Sequence, residues 1–181
     1  MTHDEQVLAY FHKHFGNLTD SVVAETGQLD GYPAFLQLFW QRFGFGARAD
    51  GFVWLLNPAE HVWVNPLFDL DRRLIPFART SFGDLHFLDP EGEGYSFSPS
   101  YQELQPMAVS LHSAVMSLGE PGYINDDPFY ERHQQLWAAG ERIDRSSCFC
   151  LTPALPLGGD EVTSEVYRGD FQAYLTLLSQ A

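Results

Sequence analysis

Seven histidines, two cysteines and 24 carboxylate side chains are the groups in this chain able to bind a metal, attack a carbonyl or move a proton. Their spacing argues against most of those uses. His12-Lys13-His14 holds the closest histidine pair, but residues two apart on a helix diverge by about 200° and do not readily share an ion. His61, His86 and His112 each stand alone among apolar neighbours, and His133 falls on the apolar stripe of a predicted helix, so all four are expected to be structural. Cys148-Phe149-Cys150 lacks the two-residue spacer of a zinc pair. In a strand its thiols are expected to point to opposite faces, poorly placed to bridge.

Nucleophilic catalysis needs a nucleophile beside a base and an oxyanion donor, and no Gly-x-Ser-x-Gly elbow is present. Gly44-Phe45-Gly46 and Gly92-Glu93-Gly94 do not extend to a dinucleotide fingerprint, and the second would set acid beside phosphate. The expectation is a protein that is not an enzyme and holds no metal and no cofactor. Two features rise above this background. The Gly-bounded turn with Asp89, Glu91 and Glu93, and the connection from Glu120 to Asp127 with Tyr123, Asp126 and Asp127, place carboxylates on loops, where binding residues concentrate. An aromatic ring beside carboxylates suits a basic protein partner.

The elements that must position these groups can be read from periodicity. Val7, Leu8, Phe11 and Phe15 predict a first helix ended by Gly16-Asn17; Leu36, Phe39, Trp40 and Phe43 predict a second between Pro33 and Gly44. Phe52 to Leu56, Leu74 to Ala78 and Leu85 to Leu88 read as strands, with Pro76 demoting its strand to a sheet edge. The acidic turn at residues 89–94 returns the chain into Tyr95-Ser96-Phe97 as a hairpin. Met107, Leu111, Val115 and Leu118 predict a helix closed by Gly119, and Asp127-Pro128 opens another that carries His133 and ends at Gly140. Cys148 to Leu151 reads as a buried strand, Val162 to Tyr167 as a further one, and Phe171, Tyr174, Leu175 and Leu178 as a last helix capped by Asp170. The fold class is therefore α+β, a mostly antiparallel sheet flanked by helices, with a boundary between Pro99 and Pro106 where strands give way to helices.

The 181 residues carry a net charge of −14, split evenly at −7 in residues 1–95 and −7 in residues 96–181, so no acidic tail explains the excess. Such a charge repels nucleic acid and anionic membranes and favours a partner with a basic face. Met1-Thr2-His3-Asp4-Glu5 does not open a signal peptide and no apolar run nears 18 residues, so a cytoplasmic protein with reduced thiols is expected.

The stretch Leu74-Ile75-Pro76-Phe77-Ala78-Arg79-Thr80-Ser81-Phe82-Gly83-Asp84-Leu85, preceded by Gly51-Phe52-Val53-Trp54-Leu55-Leu56-Asn57-Pro58, resembles the GAD-like domain. Pro153-Ala154-Leu155-Pro156-Leu157-Gly158-Gly159 is similar to the Pro-Ala-Leu-x-Leu-Gly-Gly segment of the C-terminal domain of type VI secretion DNase immunity proteins. The resemblance implies a GAD-like domain over residues 1–102 with a smaller immunity-type α+β domain over 103–181 packed on it. It also implies an antitoxin that binds a cognate secreted nuclease in the cytoplasm, with no catalytic residues. An SMI1/KNR4-like immunity protein against another toxin class, or a scaffolding protein, is the alternative. Phe82-Gly83-Asp84 and Gly158-Gly159 are expected to shape the fold, and the toxin contacts to fall on Asp89, Glu91, Glu93, Tyr123, Asp126 and Asp127.

Overall fold

In a computed structural model that describes residues 1–15, 19–25 and 27–181, the aromatic stripes are buried as their spacing requires. Helices α1 (His3–Phe15) and α2 (Ala34–Phe43) turn Val7, Leu8, Phe11, Leu36, Phe39 and Trp40 inward, and Gly44 ends α2 with φ 70°. Gly16 and Asn17, the expected stop of α1, lie outside the described residues. The inward stripes cover one face of a sheet formed by β1 (Thr19–Val22), β2 (Phe45–Arg48), β3 (Val53–Leu55), β4 (Ile75–Thr80), β5 (Leu85–Leu88), β6 (Gly94–Ser98) and β7 (Glu103–Ala108). These seven strands lie side by side in chain order, each antiparallel to the next. The fold is α+β with a largely antiparallel sheet, as expected.

Alternation along the strands divides two cores. Leu55, Ala78 and Leu88 face α1, α2 and α4 (Leu111–Gly119). Leu85, Phe87 and Phe97 face the opposite way, toward α3 (Val64–Leu67), β8 (Ser147–Thr152) and α7 (Phe171–Leu178). A third cluster of Trp54, Phe82, Phe129, Phe149 and Leu151 ties the hairpin of β8 and β9 (Glu165–Asp170) to the sheet. Each large side chain fully buried in these cores contributes about 1.5–3 kcal/mol, so both faces of the sheet are needed. Residue 102 lies in the turn joining β6 to β7, and elements that follow it cover both faces of the strands that precede it.

Four expectations are corrected. The strand bearing Pro76 is the central one, with three strands on either side; the missing N–H is tolerated because the register shifts between Pro76 and Ala78, a bulge that interrupts the ladder there. Met107 belongs to β7, and α4 starts only at Leu111, because Ser110 and Ser113 form a capping box that fixes the start. Cys148 and Cys150 point to the same face, since a strand's side chains repeat every two residues, and their sulfurs are 3.6 Å apart. The late strand begins at Glu165: Asp160 accepts the amides of Val162 and Thr163 at 2.9 Å each and folds them into a turn.

Asp127 accepts the amide of Phe129 at 2.8 Å, and α6 (Tyr130–Ala138) follows after a short α5 (Pro121–Asn125). Asp170 caps α7 through the amide of Ala173 at 2.8 Å. His133, fully buried, bonds the carbonyl of Asp50 at 2.9 Å and so holds α6 to the turn between β2 and β3. Among the described residues no helix is long and apolar enough to cross a membrane.

Candidate functional site

The clearest departure from ordinary sheet packing lies where β5, β6 and β7 pass beneath the α5–α6 connection. Helix-facing positions there should be apolar. Instead His86 pairs across the strands with Ser96, Ser96 with Gln105, and Ser98 with Glu103. This polar row floors a cavity of about 310 Å³ walled by Asp84, Tyr101, Tyr123 and the Asp127-Pro128-Phe129 corner. Gly83, with φ 98°, turns the chain between β4 and β5 and delivers Asp84 to the rim.

The electrostatics are those of crowded carboxylates taken from water. Burial, then the nearby charges of Asp127 and Glu161, raise the Asp84 carboxyl to about 7 despite hydrogen bonds from Ser98 and Thr80. Burial likewise raises Asp127 to about 6. His86 is only 2% exposed and burial lowers it to about 4, so the ring is neutral. Its Nδ1 lies 3.4 Å from the Tyr123 hydroxyl, while Nε2 has no hydrogen-bond partner among the described residues. The Tyr101 hydroxyl donates to Glu161, and its ring is 52% exposed. None of the described lining residues is a lysine or arginine.

Asp84 gives a direct test. Its folded-state pKa, about 7, lies above the ordinary 3.8, so the unfolded chain releases the proton first as pH rises. Stability contributed by the protonated form is therefore lost between about pH 4 and pH 7. Asp84→Asn should leave stability unchanged near pH 4 and raise it by roughly 2–4 kcal/mol near pH 8. Urea unfolding at the two pH values reads the difference, and a variant equally or less stable at the higher pH would refute the assignment.

The six expected contact residues separate into two places. Tyr123 and Asp127 line the cavity, with Asp126 exposed next to them. Asp89, Glu91 and Glu93 occupy the β5–β6 turn. There Asp89 accepts the Glu93 amide at 2.8 Å, and the Tyr95 hydroxyl lies 3.1 Å from a Glu93 carboxylate oxygen and 3.3 Å from an Asp89 one, so both acids serve the hairpin. Glu91 and Glu93 are exposed. Sequence reasoning missed Asp84, His86 and Tyr101 as site residues; the available signal was the polar member at every second position of β5, β6 and β7.

A larger cleft of about 610 Å³ opens between β3, the 57–61 turn and the start of α7. Its groups are engaged with one another. Arg79, 0% exposed, lies with its guanidinium 5.1 Å from the Trp54 ring and 4.6 Å from the Phe171 ring, and donates to the carbonyls of Thr80, Asp144 and Ser147 at 3.1, 3.0 and 2.9 Å. His61 Nδ1 is 2.8 Å from the Asn57 carbonyl, and burial lowers its pKa. His112, expected to stand alone, meets Asp4 at 2.7 Å between α4 and α1. Among the described residues no group of three or more His, Cys, Asp or Glu is arranged to hold a metal.

Fold and cavity together define an α+β protein built on a seven-stranded antiparallel meander with an acidic, aromatic-walled recess on its helical side. No family model matches the chain, and no curated protein matches it. Among solved structures, the crystal structure of Atu4351 from Agrobacterium tumefaciens is similar, with a TM-score of 0.79 and 16% identity over 95% of this chain and 88% of that one. At that identity the likeness is one of fold.

Proposed function

We propose that this protein is an immunity protein that binds and neutralises a cognate type VI secreted nuclease in the cytoplasm. The observation that carries the reading is the recess itself: half-buried carboxylates without a lining cation, beside an exposed Tyr101 ring, on a chain of charge −14. An apolar rim around an acidic centre is the form a partner's basic, phosphate-binding surface complements. The resemblance of the Pro153 to Gly159 segment to DNase immunity proteins supplies the partner class, and the charge supplies rapid capture by a nuclease's positive groove. The recess also has the makings of acid–base chemistry, in two carboxyl groups titrating near neutrality. Binding is the reading that uses its rim as well.

Co-purification with the product of the adjacent toxin gene tests the proposal, and a protein that neither retains that nuclease nor protects cells expressing it would end it. The two acidic loops should behave differently once the complex forms. Glu91→Gln with Glu93→Gln removes exposed charge and should slow association and flatten its salt dependence. Asp126→Asn with Asp127→Asn reaches into the recess and should cost roughly 2–5 kcal/mol of affinity, seen mainly as faster dissociation. Equal kinetics for both doubles and the parent, read by surface plasmon resonance at several salt concentrations, would remove these loops from the interface.

A further inference from the structure

Three places in the molecule hold chemistry that the fold alone does not require: the Arg79 cleft, the paired thiols of Cys148 and Cys150, and the acidic recess. In the first, Arg79 is engaged with the carbonyls of Thr80, Asp144 and Ser147, and the thiols are buried. In the recess the carboxyl groups accept hydrogen bonds from Ser98, Thr80 and the Phe129 amide, but none of the described lining residues is a cation.

We infer that the recess seats one arginine side chain of the partner protein, its guanidinium over the His86–Ser96–Gln105 floor between Asp84 and Asp127, a reading that rests on the proposed function. Several observations select a cation. The two carboxylates share a cavity of about 310 Å³ with none of its lining residues basic, and Glu161 adds charge from the neighbouring loop. His86 lines the floor, is 2% exposed, and leaves Nε2 without a partner among the described residues. Ser96 and Gln105 supply further hydrogen-bonding groups in register with it. Other observations select guanidinium over ammonium. Tyr101, Tyr123 and Phe129 give the recess ring walls, against which a planar, weakly hydrated cation stacks, whereas an ammonium keeps its water. Two carboxylates on separate elements match the divergent donors of the guanidinium fork.

The test uses ethylguanidinium and propylammonium as probes of the two side chains, titrated into the whole protein while amide and ring resonances are followed by NMR. Ethylguanidinium should shift resonances of Asp84, His86, Tyr101 and Tyr123, bind about tenfold tighter than propylammonium, and lose about tenfold in affinity in Asp84→Asn with Asp127→Asn. Glu103→Gln, on an exposed position whose change leaves the core untouched, should weaken it severalfold. Shifts scattered over the acidic surface, equal binding of the two probes, or indifference to the double substitution would overturn the inference. The same variants are then compared in toxin capture. A nuclease bound equally well by parent and double variant overturns the arginine seat and leaves the immunity reading standing. A parent that binds the guanidinium as described but captures no nuclease removes the immunity reading and places the seat's partner elsewhere.

Discussion

Replacing Arg79 by leucine is expected to lower the thermal midpoint by roughly 10–15 °C, the equivalent of about 3–5 kcal/mol in a domain of this size. The guanidinium reaches from β4 to the turn before β8, where it donates to the carbonyls of Asp144 and Ser147 while filling the space between Trp54 and Phe171. Leucine fills part of that space but takes the guanidinium from the Ser147 carbonyl and leaves the Asp144 carbonyl with the Ser147 amide alone, at about 1–3 kcal/mol for a buried group left unmet. Lysine fares little better, because a single ammonium cannot reproduce the planar fork or stack between two rings. Burial lowers Arg79 to about 10, so it remains charged at neutral pH and the loss persists across the physiological range. Arg168 provides the contrast. It pairs with Asp144 at the surface, both side chains more than two-fifths exposed, and Arg168→Gln should change stability by less than about 1 kcal/mol. Denaturation of the two variants side by side decides the matter: an Arg79→Leu protein as stable as Arg168→Gln would show that the clamp carries little.

Gly159→Ala is expected to destabilise by about 3 kcal/mol or more, against about 1–2 kcal/mol for Gly158→Ala next to it. The two glycines serve different ends. Gly158 has φ 87° in open space, so alanine there meets only backbone strain. At Gly159 an added Cβ would stand 2.0 Å from the Pro153 carbonyl oxygen and 2.8 Å from backbone atoms of Ala154, neither able to yield without moving the loop. That loop is held in place by the Gly159 amide on the Ala154 carbonyl at 3.0 Å and by Arg132, which donates to the carbonyls of Glu161 and Ser164. Because Glu161 accepts from Tyr101 at the recess, Gly159→Ala should also disturb the tyrosine resonances that Gly158→Ala leaves alone. Equal stability losses in the two variants would refute the steric argument.

How far the chain could be read in advance follows from the range of the forces involved. Helices α1, α2 and α7 carry their apolar stripes within a dozen or so residues, and all three stand where periodicity places them. Strands β1, β2 and β7 went unread because they are short or polar and owe their state to a neighbour's ladder. Pro76 misled for the same reason, since a bulge is a property of two strands at once. Tyr123 and Asp127 were legible as loop residues with binding chemistry, but Asp84, His86 and Tyr101 become a site with them only when β5, the β6–β7 turn and the α5–α6 connection converge.

The order in which the two faces of the sheet are covered has a consequence for synthesis. Helices α1 and α2 are made before most of the strands they shelter, whereas Leu85, Phe87 and Phe97 await Phe171, Tyr174, Leu175 and Leu178. Between Phe97 and Phe171 the ribosome adds about 70 residues, which at about 5–20 residues per second leaves that apolar face without its α7 cover for on the order of 4–15 s. The edge that the seven-stranded sheet presents in that interval is β7, whose Glu103, Gln105 and Pro106 make a poor template for another chain's backbone. A weakened α7 would therefore act first on how many newly made molecules escape aggregation, and only afterwards on how firmly the finished ones hold together.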